Sequence, residues 1–369
     1  MTNSLHTIGI LGGGQLGMML AEAALPLGYR CVFLEDADNP PAALYGQVFK
    51  THELDAFISA SDVFTLEFEN TPVDTARKLG ELTDKGGLFP PARALEVAQD
   101  RLNEKTLFNQ LDIATVPFMA VHTLDDIKTA ADTLGLPLVL KTSRGGYDGK
   151  GQFVLKSVDT ISDAWATLGD ATKSAPLIAE GFINFSREVS IIAVRSKAGE
   201  IRYYPLVENV HTSGILAKTT APAADTEHLT AQAQSNIKKL LEHLDYVGVM
   251  ALELFVTDDG VLANEIAPRV HNSGHWSIEG AHCSQFENHI RTVAGLPLGD
   301  TAVSHPSVML NVIGKYPNSA DVLAIDGVHY HHYHKSERDG RKIAHITVMT
   351  GDERQADAVA KAESLLVNC

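Results

Sequence analysis

Cysteine is nearly absent from this 369-residue chain: there are three, Cys31, Cys283 and Cys369, far apart and odd in number. That argues against a disulfide framework and fits a reducing compartment, so a cytoplasmic location is expected. Positive charge is also scarce. Thirty Lys and Arg face 46 Asp and Glu, a formal net charge of −16. A surface with that balance repels nucleic acid and anionic membrane, so any anionic ligand must be small and held in a local basic pocket. No apolar run approaches the roughly 18 residues of a membrane span, and no basic-then-apolar leader is expected. Internal repeats and low-complexity segments are missing too. What is present is 44% hydrophobic residues, in a chain long enough for two or three domains with cores of their own.

The chain begins with an apolar strand over 6–11 that runs into Gly12-Gly13-Gly14-Gln15-Leu16-Gly17, a helix over 18–25 and a second strand over 30–34 ending in Glu35. This is a βαβ unit with the dinucleotide fingerprint, and taken alone it points to an NAD-linked dehydrogenase. The same turn serves any ligand whose phosphate or ring must come close to backbone N–H groups. A further strand over 62–68 ends in Glu67-Phe68-Glu69-Asn70. Ligands of open α/β sheets bind beyond the carboxyl ends of the strands, where Gln15 and these acids would meet. Pro90-Pro91 opens a helix to about residue 111 carrying Arg101 and Lys105, and 113–117 reads as a linker.

A second unit follows. Thr123 and Asp126 start a helix, and a strand over 138–141 leads into Ser143-Arg144-Gly145-Gly146-Tyr147-Asp148-Gly149-Lys150-Gly151-Gln152. A loop this rich in glycine, flanked by Lys141 and bearing Lys150, can fold over a polyphosphate and offer it backbone N–H groups. It is not a Walker A loop, because no helix follows and the GK[ST] ending is absent. A strand over 176–179 ends in Glu180-Gly181-Phe182-Ile183. Another over 188–195 pairs with 201–207, and a helix over 226–244 follows.

The densest chemistry lies in 251–275. Leu252, Leu254 and Val256 alternate, Asp258-Asp259-Gly260 signals a turn, and Val261 resumes an extended segment. With the turn centred on Asp259, Glu253 falls opposite Glu265, and directly paired residues hold their Cβ atoms about 4.5–5.5 Å apart. Two carboxylates that close call for a cation between them, and Mg²⁺ binds in this way while phosphate and water fill its other positions. Asn264, Arg269, His271, Asn272 and His275 surround the pair, which looks like an anion site beside a metal. A buried and a solvated Glu in a shifted register is the plainer alternative.

The last segment has β-rich runs over 308–313, 328–333 and 342–349 and a helix over 353–366. His329 and His331 would share one strand face and His332 and His334 the other, which argues against a metal cluster. Lys335, Arg338, Arg341 and Lys342 form the densest positive set in an acidic chain and suit a substrate phosphate.

The ordered set GGGQLG, LEFEN, AQDRLNEK, KTSRGGYDGKGQ, SREVS, PLVENVH, ALELF, NEIAPRVHNSGH and HKSERDGRKIAHI resembles the 5-(carboxyamino)imidazole ribonucleotide synthases of the ATP-grasp superfamily over nearly the whole chain. The resemblance implies a mixed α/β (in parts α+β) ATP-grasp fold. A Rossmann-like domain would span 1–100 and the ATP-grasp domain 101–306, with a glycine-loop lid at about 113–183. A small β-rich domain would span 307–369. It implies ATP-dependent carboxylation of 5-aminoimidazole ribonucleotide by bicarbonate, through carboxyphosphate, in purine biosynthesis. ATP and Mg²⁺, or Mn²⁺ in its place, would be required, and the protein would be a homodimer acting on small molecules.

By position, Arg101 and Lys141 would contact ATP under a lid formed by Gly146, Tyr147, Asp148, Gly149, Lys150, Gly151 and Gln152. Glu180, Gly181, Phe182 and Ile183 would hold the adenine edge, with Glu188 on the ribose and His211 beside it. Glu253 and Glu265 would ligate the metal, with Asn264 adjacent. Arg269, His271 and Asn272 would bind bicarbonate and carboxyphosphate while Tyr147 and Asp148 close on the reacting centre. Gln15 and Glu69 or Glu67 would face the aminoimidazole ribonucleotide, and Lys335, Arg341 and Lys342 its phosphate. The chain departs from the family pattern at Met18, often Arg, and at His334 and Ala344, both usually Gly. Two other readings stay open beside it, the NAD-linked dehydrogenase and a nucleotide-binding regulatory module.

Overall fold

The computed structural model describes residues 6–82, 84–145, 151–351 and 357–367. Among them are three sheets. The first is parallel throughout, in the order Val48–Phe49, Arg30–Leu34, Thr7–Leu11, Val63–Leu66. Helices cover parallel strands on both faces, so these strands are apolar at nearly every position and Ile8, Ile10, Phe33, Phe64 and Leu66 are fully buried. The Gln15–Ala24 helix starts at the glycine turn and buries Leu16, Met18 and Met19. Met18 is thus a core residue here.

The helix expected over 90–111 is in fact two, Ala92–Ala98 and Arg101–Gln110. Asp100 causes the break: its backbone is extended, and its carboxylate accepts from the N–H groups of Leu102 and Asn103, capping the second helix.

The second sheet is small and antiparallel, in the order Phe118–Val121, Leu177–Gly181, Leu138–Thr142, Gln152–Leu155. Helices Leu124–Leu134 and Ile161–Leu168 close a core around Ile127, Leu140 and Leu155. Lys141 pairs with Gln152 at the mouth of the glycine loop. Gly146, Tyr147, Asp148, Gly149 and Lys150 of that loop lie outside the described residues.

The third sheet has nine antiparallel strands. Its main path runs Gly260–Ala267, Gly248–Thr257, Arg187–Arg195, Val207–Thr212, Ile215–Ala221, Ser307–Ile313, Lys342–Met349, Val328–His332. The strand expected over 201–207 is interrupted. Ile201–Tyr203 pairs with the far end of Arg187–Arg195, and Val207–Thr212 pairs separately with its near end. Pro205, which has no N–H to give the ladder, sits at the break. The strands after residue 306 continue the large sheet through the pairing of Ile215–Ala221 with Ser307–Ile313. No helix among the described residues is long and apolar enough to cross a membrane.

Candidate functional site

The Gly248–Thr257 and Gly260–Ala267 strands form the expected hairpin with one difference of register. Thr257 pairs with Gly260, so the turn is centred between Asp258 and Asp259 and the partners near the tip sit one residue off. The ladder then slips by one between Leu252 and Leu254, and Leu252 meets Ile266 as expected. Glu253 therefore faces a bulge that holds both Asn264 and Glu265, rather than Glu265 alone. Bulges re-aim side chains in this way beside active sites.

Glu253 and Glu265 line one cleft of about 540 Å³ together with Asn264, Lys141, Gly145 and Gly151. Each carboxylate already has a basic side chain as its partner. Arg101 Nη1 donates to Glu265 Oε2 at 2.9 Å, and His271 Nε2 lies 3.2 Å from Glu253 Oε1. Burial would raise the Glu253 pKa, but His271 overrides it with a hydrogen bond and its charge, aided by His211 and Lys342, and holds it at about 2. A carboxylate kept ionised in a buried cleft, beside a second one and an amide oxygen, is a hard-oxygen donor set that fits Mg²⁺.

The opposite side of the cleft combines residues of the second and third sheets. Lys141 Nζ donates to Glu180 Oε2 at 2.6 Å, and Lys105 lies 3.4 Å from the other oxygen. Burial raises the Glu180 pKa, yet these two lysines together bring it below its usual value. Phe185 stacks on Phe255 with ring centroids 4.6 Å apart, beside Glu188. His211 Nδ1 lies 3.2 Å from Glu188. Burial alone would lower the His211 pKa, but bonding to Glu188 raises it. Gly181, Phe182 and Ile183 close the strand end next to Glu180, with Phe182 exposed.

His271 and Asn272 are locked from beneath. The His271 N–H donates to Gln285 Oε1 at 2.9 Å, and its Nδ1 lies 2.8 Å from Ser273 Oγ. Asn272 and Asn311 exchange reciprocal amide bonds of 3.0 and 2.7 Å. Arg269 pairs with Glu69 and donates to the Val270 carbonyl.

The structure separates the two acids of LEFEN. Glu69 lines the cleft, whereas Glu67 turns inward and accepts from Gly14 N at 2.7 Å and from Gly17 N at 3.1 Å. A Cβ at Gly12 would stand 2.7 Å from the Glu67 side chain. The glycines of the fingerprint make room for this carboxylate, and Glu67 holds the amides that a pyrophosphate would need. Glu35 likewise accepts from Gly13 N at 3.1 Å. The first turn is therefore closed to a dinucleotide.

Across the same region Lys335 bonds the Gln15 side chain and lies over the Tyr333 ring, 5.9 Å from its centroid. Burial, then the charge of Arg341, lowers its pKa to about 8, with Lys342 and Arg338 acting in the same direction. Lys342 also borders the cleft beside His211, and Arg341 donates to Ser336 Oγ at 2.9 Å. His331 and His332 do diverge. The first bonds Glu279 at 2.7 Å, and the second stacks on Tyr316.

Several residues of the site gave no separate signal in the sequence. Glu104, Gln285 and Asn311 are fully buried polar groups on elements distant from the motifs they support. Burial, then the charge of Glu265, pushes Glu104 up to about 8. Asp100 ties the helix start to the glycine loop, since Arg144 Nε donates to it at 2.8 Å.

Three family models match the chain: a ribonucleotide synthetase preATP-grasp domain over 5–99, an ATP-grasp domain over 106–286 and a phosphoribosylaminoimidazole carboxylase C-terminal domain over 307–359. The N5-carboxyaminoimidazole ribonucleotide synthase of Pseudomonas aeruginosa is 46% identical, covering 97% of this chain and 99% of its own. The N5-carboxyaminoimidazole ribonucleotide synthetase of Thermus thermophilus superposes with a TM-score of 0.91 at 46% identity, over 97% of this chain and 98% of its own. The Aspergillus clavatus enzyme, solved with ADP and 5-aminoimidazole ribonucleotide, superposes at 0.88 with 30% identity, over 99% of this chain and 100% of its own.

Proposed function

The chain belongs to the N5-carboxyaminoimidazole ribonucleotide synthases, ATP-grasp ligases of purine biosynthesis, and from that premise we propose how its residues divide the reaction. A bicarbonate oxygen attacks the γ-phosphorus of ATP, ADP leaves, and carboxyphosphate results. The exocyclic amine of 5-aminoimidazole ribonucleotide then bonds to the carboxyl carbon, directly or through released CO₂, as inorganic phosphate departs.

Phosphoryl transfer needs positioning and charge neutralisation above all. Lys141 and Arg101 hold the phosphates, with Lys150 in the lid, while Glu188, His211 and the 180–183 segment seat the nucleoside. Glu253 and Glu265 hold Mg²⁺, with Asn264 beside them, and the ion when bound supplies charge neutralisation at the phosphates. Arg269 and Asn272 clamp bicarbonate and the anhydride. His271 takes the proton lost by the attacking amine, a role that suits an imidazole. For Tyr147, Asp148, Gly146 and Gly149, outside the described residues, the resemblance implies a share with Gly151 and Gln152 in keeping water from the anhydride. Gln15 and Glu69 face the aminoimidazole, and Lys335, Arg341 and Lys342 its phosphate. Glu67 supports that end from behind.

The observation that carries this reading is the meeting of Glu253, Asn264 and Glu265 in one cleft with Lys141 and the ends of the glycine loop. We read the chain as three units, 1–100, 101–306 and 307–369, acting as a cytoplasmic homodimer. ADP release should require both bicarbonate and aminoimidazole ribonucleotide. Unchanged ADP release with either one omitted overturns the assignment.

A further inference from the structure

The Arg101–Gln110 helix presents Arg101, Glu104 and Lys105 on one face, at the i, i+3, i+4 spacing that places side chains side by side. That face lies against the Gly260–Ala267 strand, an edge of the large sheet, and each side chain takes a different one of three consecutive residues. Lys105 Nζ donates to the Asn264 carbonyl at 3.3 Å and to Thr115 Oγ1 at 3.1 Å. Arg101 holds the Glu265 carboxylate at 2.9 Å, and Glu104 Oε1 accepts from Ile266 N at 2.6 Å. Thr115 Oγ1 in turn donates to the Ala263 carbonyl at 2.7 Å.

In a regular strand successive carbonyls point to opposite sides. Here the carbonyls of Ala263 and Asn264 both reach partners from the 101–115 segment, as the bulge requires. The open side of an edge strand leaves N–H groups without ladder partners, and a buried one without an acceptor costs about 1–3 kcal/mol. Glu104 is 2% exposed and supplies that acceptor at Ile266, next to the residue whose side chain must enter the cleft.

We propose that Glu104 is a positioning residue: by accepting the Ile266 N–H it fixes the bulge that aims Glu265 into the cleft. This rests on Glu265 being a metal ligand. The function of the contact is carried by its acceptor oxygen, so Glu104→Gln, which keeps one, retains the alignment. Glu104→Met, of similar length with no oxygen, loses it.

Calorimetric titration of ADP into the protein at graded Mg²⁺ concentrations tests this without turnover. Glu104→Met should raise the Mg²⁺ concentration needed for half-maximal ADP tightening at least fivefold, while Glu104→Gln stays within twofold of wild type. The KM for aminoimidazole ribonucleotide should stay within twofold in both. If Glu104→Met fails to fold, Glu104→Ser with its short hydroxyl tests the same loss of reach. Wild-type Mg²⁺ dependence in a folded variant lacking the acceptor overturns the proposal, as does equal loss in Glu104→Gln. Glu265→Gln separates the two ideas. If it leaves the Mg²⁺ dependence unchanged, the metal assignment itself fails. If it abolishes that dependence while Glu104→Met is silent, only the positioning role fails.

Discussion

The carboxylate-lined cleft and the basic cluster around Lys335 are built on opposite electrostatic plans. In the cleft Glu265 lies against Arg101, Glu253 against the His271 ring, and Glu180 against Lys141 and Lys105. In the cluster cations gather. Lys335 feels Arg341, Lys342 and Arg338 and is balanced chiefly by Glu67, whose oxygens already serve two backbone amides. The cleft carboxylates are thus already partnered, so an ion entering there would compete with Arg101 for Glu265 and with His271 for Glu253. The basic cluster carries unbalanced positive charge that a phosphate would complete. The same acidic chain thus carries one place suited to a cation and another suited to an anion.

The largest test of this contrast is Glu265→Gln. ADP formation should fall at least about a hundredfold, the scale of losing one preorganised electrostatic group. The melting temperature should move little because the residue borders the cleft. Full activity would break the cleft account.

Lys335→Met addresses the basic cluster. The KM for aminoimidazole ribonucleotide should rise about 10- to 100-fold, the worth of a charged hydrogen bond of about 1.5–3 kcal/mol. Its KM for ATP should hold steady, and a matching rise there would merge the two regions into one.

The pH dependence sharpens the point further. Lys335 has a pKa lowered to about 8 in the folded protein, so its positive charge is present below that pH and lost above it. The kcat/KM for aminoimidazole ribonucleotide should therefore fall as pH rises through 8. Lys335→Arg should move that limb upward, because guanidinium stays charged.

The smallest effect concerns His334, whose backbone has φ of 53°, the left-handed region that glycine enters most freely. His334→Gly should stabilise the protein by no more than about 1 kcal/mol in chemical unfolding. A loss of stability would assign weight to the ring packed against His332.

These regions also differ in how far they could be read from the chain alone. The carboxylate pair lies within one hairpin, where alternation and a turn signal place Glu253 across from Glu265. The turn centre was off by half a residue, because a two-residue turn and a bulge compensate each other and no local residue type announces the bulge. The basic cluster joins Gln15 to Lys335 across the length of the chain. No periodicity reports such a contact, so only the residue types suggested it. Glu67 and Glu69 were indistinguishable in sequence because both end the same strand. The glycine amides decide between them by capturing one. Glu104 is silent for a similar reason: a charged residue in the middle of an amphipathic helix reads as solvated until the strand it touches is known.

The strands beyond residue 306 carry a consequence for dissection of the chain. Because Ser307–Ile313 hydrogen-bonds directly to Ile215–Ala221, the strand that begins at Lys342 and the carboxylate hairpin are rows of the same woven surface. Removing 307–369 would strip Ile215–Ala221 of a neighbour and lay open a long row of unpaired amides and carbonyls. A shortened chain of that kind should self-associate in light scattering, and its remaining nucleotide cleft would be studied inside aggregates.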